Sequence, residues 1–148
     1  MRGRTRLDLP ERFHYSTELR VRTGDLNYGG HLGNDALLSL LQEARLRFFK
    51  EHGLADQHLV KVDGLGILLS DAVIVYRSQA FHADLLLIEM AIANFGTRAC
   101  DLFYKVTHRA SGREVARAKT GIVFYDYAAQ KTARIPDKIT QIFKRLDK

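Results

Sequence analysis

The feature that most constrains this chain is a single change of period. Between residues 13 and 23, Phe13, Tyr15, Thr17, Leu19 and Val21 alternate with His14, Ser16, Glu18, Arg20 and Arg22. That is the repeat of a half-buried strand. Gly24, Gly29, Gly30 and Gly33 then interrupt regular structure. From about Asn34 to His52 the spacing becomes helical: Leu37, Leu40, Leu41, Ala44 and Phe48 share a face, and Leu38 and Phe49 widen it. Asn34 is the expected N-cap, with Asp35 favourable in the first turn and Gly53 as the stop. An apolar face this broad belongs to a helix covered on more than one side.

The remainder returns to strand patterns. Residues 65–78 are β-rich and end Val73-Ile74-Val75-Tyr76. In 85–95, Leu86, Ile88, Met90 and Ile92 alternate with Glu89 and the small Ala91 and Ala93. In 98–108, Cys100, Leu102, Tyr104 and Val106 oppose Asp101, Lys105 and Thr107. Ser111-Gly112 marks a turn before 113–126, where small Ala116 and Ala118 share a face with Ile122 and Phe124 and allow a helix to pack closely. Residues 1–10 read as a loose tail and 136–148 as a C-terminal surface helix opened by Pro136. The 148 residues fit one domain. The class is α+β: an antiparallel sheet wrapped around one long central helix, with the consecutive strands expected to pair as a meander.

Composition excludes several classes. An apolar fraction of 46% argues against disorder. No apolar run reaches the roughly 18 residues of a membrane span, and the basic start has no apolar segment behind it, so no secretory signal is expected. The single cysteine, Cys100, cannot form an internal disulfide, and no Cys/His spacing suggests a metal site, so a cytoplasmic location is the simplest expectation. The net charge of +6 suits a solvated basic surface or an anionic ligand such as coenzyme A. Its basic residues are dispersed rather than clustered, which argues against nucleic acid.

The chemistry is expected in Gly24-Asp25-Leu26-Asn27-Tyr28-Gly29-Gly30-His31-Leu32-Gly33-Asn34. Polar side chains and glycines stand there directly before a helix start, where backbone N–H groups can receive a developing oxyanion. This segment, with Glu43-Ala44-Arg45 on the helix, resembles the hot-dog acyl-CoA thioesterases related to 4-hydroxybenzoyl-CoA thioesterase. Their pattern is D-x-D-x-x-G-H-V-N-N followed by a helix with E-A-R. Tyr76–Asp84 is similar to the family's Y-x-x-P-x-x-x-x-D turn, and Gly112–Thr120 to its last hairpin. The resemblance spans roughly residues 15–126.

It implies a hot-dog fold, hydrolysis of an acyl-CoA or acyl-carrier-protein thioester, and a homodimer or homotetramer. It implies no cofactor, coenzyme A entering only as part of the substrate, and no metal, nucleic acid or membrane partner. The family's usual catalytic carboxylate falls on Asn27. An amide is no general base, but it can donate to a thioester oxygen or orient water. The family's enediyne-polyketide thioesterases also carry Asn there, with an Arg in the helix matching Arg45. The candidate catalytic residues are therefore Asn27, Glu43, Asp25 and His31. The candidate substrate-binding residues are Gly29, Gly30 and Leu32, through their backbone, together with Arg45. Glu43 is either a water-activating carboxylate or an ion-pair partner of Arg47. Asp25 is either a base or a loop carboxylate, pointing away from Asn27 if the backbone there is extended.

Two rival activities share the fold. An enoyl-thioester hydratase or dehydratase would carry G-D-x-N-P-[IL]-H; Gly24–Asn27 match, but the Pro is missing and His31 comes one residue late. A non-catalytic acyl-thioester-binding domain is the other. The remaining histidines, His14, His52, His58, His82 and His108, read as surface residues, and Cys100 as a core thiol.

Overall fold

The structure, a computed structural model, describes residues 5–56 and 59–147. The alternating run forms β1 (Tyr15–Arg20) and the helical run forms α1 (Asn34–Glu51). A small hairpin, β2 (Ala55–Asp56) and β3 (Leu59–Val60), precedes the long strands β4 (Gly66–Tyr76), β5 (Leu85–Ala93), β6 (Ala99–His108) and β7 (Glu114–Asp126). Short β8 (Lys131–Thr132) and helix α2 (Asp137–Leu146) complete the chain.

The main sheet has the order β1-β5-β6-β7-β4, with β8 on β7, and all its pairings are antiparallel. This is the hot-dog arrangement, with one correction to the expected meander. Strands β5, β6 and β7 do follow one another, because the links 94–98 and 109–113 are short enough for hairpins. The link 77–84 is longer, and it carries the chain from the β4 edge past β7 and β6 to β5, the strand beside the far edge. Strand β4 therefore pairs with β7, Tyr76 opposite Ala116 and Ile67 opposite Phe124, and leaves its other side unpaired among the described residues.

The sheet curls around α1, which buries Leu37, Leu40, Leu41, Ala44, Phe48 and Phe49. Leu38, expected to widen that stripe, is exposed instead. The inward residues of β5 and β6, Leu86, Ile88, Met90, Leu102, Tyr104 and Val106, meet the helix, and Ala116 and Ala118 on β7 are completely covered. The helix begins one residue differently from expectation: Gly33 is its N-cap, and Asn34 is the first helical residue. The Gly33 N–H is held by Asp25 O at 2.9 Å, and its carbonyl accepts from Leu37 N at 3.2 Å. Gly53 ends the helix at φ +71°, a conformation that costs glycine little.

Helix α2 has Pro136 as its N-cap and buries Ile139 and Ile142 against the end of the core. His14 is not a surface residue. Its side chain is only 5% exposed, its Nδ1 accepts from Ile92 N at 3.0 Å, and its Nε2 meets Asp147 Oδ1 at 3.2 Å. His58 lies outside the described residues. Burial pushes the Cys100 thiol up to about 12, which leaves it a core thiol rather than a nucleophile.

On the outer face of the sheet, a register shift between Leu69 and Asp71 folds Ser70 and Asp71 over Gly121. A Cβ at Gly121 would stand 2.1 Å from Asp71 Oδ1 and 2.5 Å from Ser70 Oγ. Asp71 is held in place by Lys119 and Ser70 and cannot simply swing away. Gly121→Ala is therefore expected to lower stability by about 1–3 kcal/mol, read as the shift in urea midpoint. An unchanged midpoint would mean that this corner is looser than its hydrogen bonds indicate.

Candidate active site at the start of the central helix

The loop before α1 is organised by one side chain. Asn27 Oδ1 accepts from Gly29 N at 2.9 Å and from His31 N at 3.2 Å, while Asn27 N donates to His31 O at 2.8 Å. Two N–H donors facing one side-chain atom identify it as the oxygen. The amide nitrogen of Asn27 is then left without a partner among the described residues. Gly30 closes the turn at φ +79°, and its N–H bonds Asn27 O at 3.1 Å.

These bonds relocate the oxyanion donors expected from the sequence. The N–H groups of Gly29, Gly30 and His31 are all taken by Asn27, that of Leu32 by Ala80 O at 2.8 Å, and that of Gly33 by Asp25 O. The backbone of Gly29, Gly30 and Leu32 is thus spent on the loop. The open donors are one step later, in the first turn of α1, where no side chain caps the helix. The aligned peptide dipoles of α1 add positive potential at the same point.

The helix start opens into a cleft of about 330 Å³ lined by Asn27, Gly29, His31, Asn34, Tyr76 and Gln79, among others. Tyr76 reaches over from β4 and donates its hydroxyl to Asn34 O at 2.9 Å. Burial, followed by the nearby Asp35, raises its pKa, so it stays a neutral donor. His31 lies against Phe81, ring centroids 5.3 Å apart, and its buried Nδ1 has no hydrogen-bond partner among the described residues. Tyr28 is fully exposed at the mouth. At the rim, Arg113 Nη1 donates to Ser78 Oγ at 2.6 Å and to Gln79 O at 2.7 Å, and Arg77 approaches Glu114 at 3.6 Å. In the sequence Tyr76 stands only as the end of a β-rich run and the start of a turn motif. Its contact with the helix joins residues 42 positions apart, for which no local pattern exists.

Of the candidates, Asn27, Gly29, His31 and Leu32 line this cleft; Asp25, Gly30, Glu43 and Arg45 do not. Asp25 is 4% exposed, and both its oxygens are held by Arg22: Oδ2 by the backbone N at 2.8 Å and Nε at 3.1 Å, Oδ1 by Nη2 at 3.0 Å. These bonds hold its carboxyl below the usual range. Glu43 pairs with Arg47 at 2.8 Å and lines a separate cleft beside β1, with Leu19 and Arg20. Arg45 lies farther along α1, in a third cleft of about 350 Å³ with Gln42, Leu46, Phe49, Val60, Ile67, Leu69 and Ile122. Among the described residues no carboxylate lines the cleft that contains Asn27, and Asp35 stands just outside it, near enough to act on Tyr76.

The lowered pKa of Asp25 gives a pH expectation with a definite sign. A carboxyl whose folded pKa lies below its unfolded value stabilises the fold above that unfolded value. The contribution is lost as pH falls through the folded value, below about pH 4. Glu114 and Asp71, lowered by Arg117 and Lys119, add to the same loss. Asp25→Asn is therefore expected to cost about 1.5–3 kcal/mol at neutral pH and much less near pH 2. Equal gaps in urea midpoint at the two pH values would contradict this role for Asp25.

The family model of the thioesterase-like superfamily matches residues 21–143. Among solved structures, Slr0204 from Synechocystis, a 1,4-dihydroxy-2-naphthoyl-CoA thioesterase, superposes with a TM-score of 0.81 at 22% identity, covering 90% of this chain and 98% of that one. YbaW, a probable thioesterase from Escherichia coli, gives 0.73 at 23% identity, covering 90% and 98%. BH1999, a gentisyl-coenzyme A thioesterase, gives 0.76 at 19% identity, covering 87% and 99%. No curated protein matches. These likenesses establish the shared fold, and the family match establishes membership: the chain belongs to the thioesterase-like superfamily.

Proposed function

We propose that the chain is an acyl-thioester hydrolase acting on an acyl-CoA or acyl-carrier-protein substrate. The observation that carries this reading is the uncapped first turn of α1, opening beside the unpartnered Asn27 amide nitrogen in one cleft. The thioester carbonyl oxygen sits against the first-turn N–H groups and accepts from Asn27 Nδ2. Water adds to the carbonyl carbon, and negative charge grows on the oxygen where those donors are already oriented. The intermediate collapses, the C–S bond breaks, and the thiol and free acid leave.

In this reading the His31 imidazole, which lines the same cleft, takes the proton from water. Asp25, fixed by Arg22, keeps the loop in shape. Glu43 takes part in the reaction only if a second copy presents it to this cleft. Arg77 and Arg113 at the rim supply positive charge for the phosphates of the carrier group. The open edge of β4, with Leu68 and Leu69 exposed beside it, is where a second copy would pair to form the homodimer.

The lack of a carboxylate in the cleft favours one other reading, binding of an acyl thioester without turnover. Hydration of an enoyl thioester is disfavoured, because Asp25 is turned away from His31's cleft. The test is incubation with short, medium, long and aromatic acyl-CoAs, following free thiol and enoyl absorbance. Thiol release supports hydrolysis. Saturable binding with no thiol release, or hydration with no thiol release, would overturn it.

A further inference from the structure

The cleft around Arg45 has a property that the reaction at the helix start does not use. Apart from Gln42 and Arg45 itself, its walls are apolar: Leu46, Phe49, Val60, Ile67, Leu69 and Ile122. Arg45 is half-buried there and forms no ion pair among the described residues. Its one bond runs inward, from Nη1 to Tyr104 Oη at 3.0 Å. Tyr104 and Thr120 are fully buried and lie 2.7 Å apart, oxygen to oxygen. Arginine can only donate, so the phenol oxygen accepts from it and its own proton is free for Thr120. A buried polar pair thus fixes the guanidinium while most of its donors remain unused.

A cation held among apolar walls is poised for an anion delivered on an apolar stem. A stem reaching from the helix start to Arg45 would run along the seam between α1 and β4, where two separate clefts open. Both clefts lie between α1 and β4: the first takes Leu37 and Tyr76, the second Gln42, Arg45, Ile67 and Leu69. Leu38, exposed and one helical turn before Gln42, lies between them. From Asn34 to Arg45 is about 16 Å along the helix axis.

We propose that Arg45 is a specificity-determining residue for acyl chains tipped with a carboxylate, and that Tyr104 and Thr120 are its positioning residues. The substrate class is the monothioester of a long dicarboxylic acid. The thioester sits at the helix start and the distal carboxylate accepts a forked pair of hydrogen bonds from Arg45. An extended chain advances roughly 3.3–3.6 Å every three bonds, so the span calls for about a dozen chain carbons or more. This rests on the hydrolase reading for the identity of the thioester, but its test does not.

The test is calorimetric binding of two unreactive coenzyme A thioethers, equal in chain length, one carboxy-tipped and one methyl-tipped. The carboxy-tipped analogue is expected to bind about ten- to a hundredfold more tightly, as a charge-assisted hydrogen bond supplies. Arg45→Met should erase that preference and Arg45→Lys should retain part of it. Tyr104→Phe should narrow it, read as the ratio of the two affinities in protein shown to be folded by circular dichroism. Equal binding of the two analogues, tighter binding of the methyl-tipped one, or binding of neither overturns the inference. A preference that persists in a protein releasing no thiol from any acyl-CoA would retain this inference and reject the hydrolase reading.

Discussion

Asn27→Asp is expected to leave the fold intact and to lower thioester turnover by about 10²–10³-fold. The carboxylate oxygen can accept the same N–H groups of Gly29 and His31 that Asn27 Oδ1 accepts, so the turn retains its bonds. What changes is the group facing the cleft. A donor becomes an acceptor, and a negative charge stands where the oxyanion must form. Asn27→Ala removes the donor without adding charge, and it also leaves two loop N–H groups without their acceptor. It is expected to reduce turnover to a similar degree and to cost about 1 kcal/mol of stability. The pair separates chemistry from architecture. If turnover tracked stability across the two variants, Asn27 would be only a loop residue. If Asn27→Asp were faster than the parent, a carboxylate base would be the missing part and the amide-donor role would be wrong.

The second large effect concerns the fold itself. Phe48 is 1% exposed and packs edge-on against Tyr15 and Phe49, with ring centroids 5.4 Å apart in each case. It also lies over His52. It ties the central helix to β1 and to the connector that follows. Phe48→Ala removes a large buried ring where the sheet curls around α1 and cannot fully collapse, so a loss of about 3–5 kcal/mol is expected, measured by urea unfolding. A loss below about 1 kcal/mol would show that the helix is not the core around which the sheet is organised.

The helix and strands were legible because each writes its own period into the sequence. Leu37 to Phe48 repeat every three or four residues, whereas Leu86 to Ile92 repeat every two. Strand neighbours are not written that way: the alternation in β4 is the same whether it pairs with β5 or with β7, and only the length of the 77–84 link hints at the crossover. The site was legible as a place but not as a set of bonds. Asn27 and His31 could be picked from the loop pattern. That Asn27 folds back and consumes the glycine N–H groups depends on a turn geometry that residue types alone do not encode. Glu43 could be read as a catalytic carboxylate or as a partner of Arg47, and spacing along one helix fits both. The burial of His14 has no local signal, because its contacts, Ile92 and Asp147, are far away in the chain. The link from Arg45 to Tyr104 crosses 59 positions and was invisible for the same reason.

The measurement that bears most directly on the central claim is kcat/KM for thiol release by the parent protein and by Asn27→Asp, on the acyl thioester the parent turns over fastest, with both proteins shown to be folded. Release by the parent is expected, with a fall of about 10²-fold or more in the variant. Equal rates in the two proteins would contradict it.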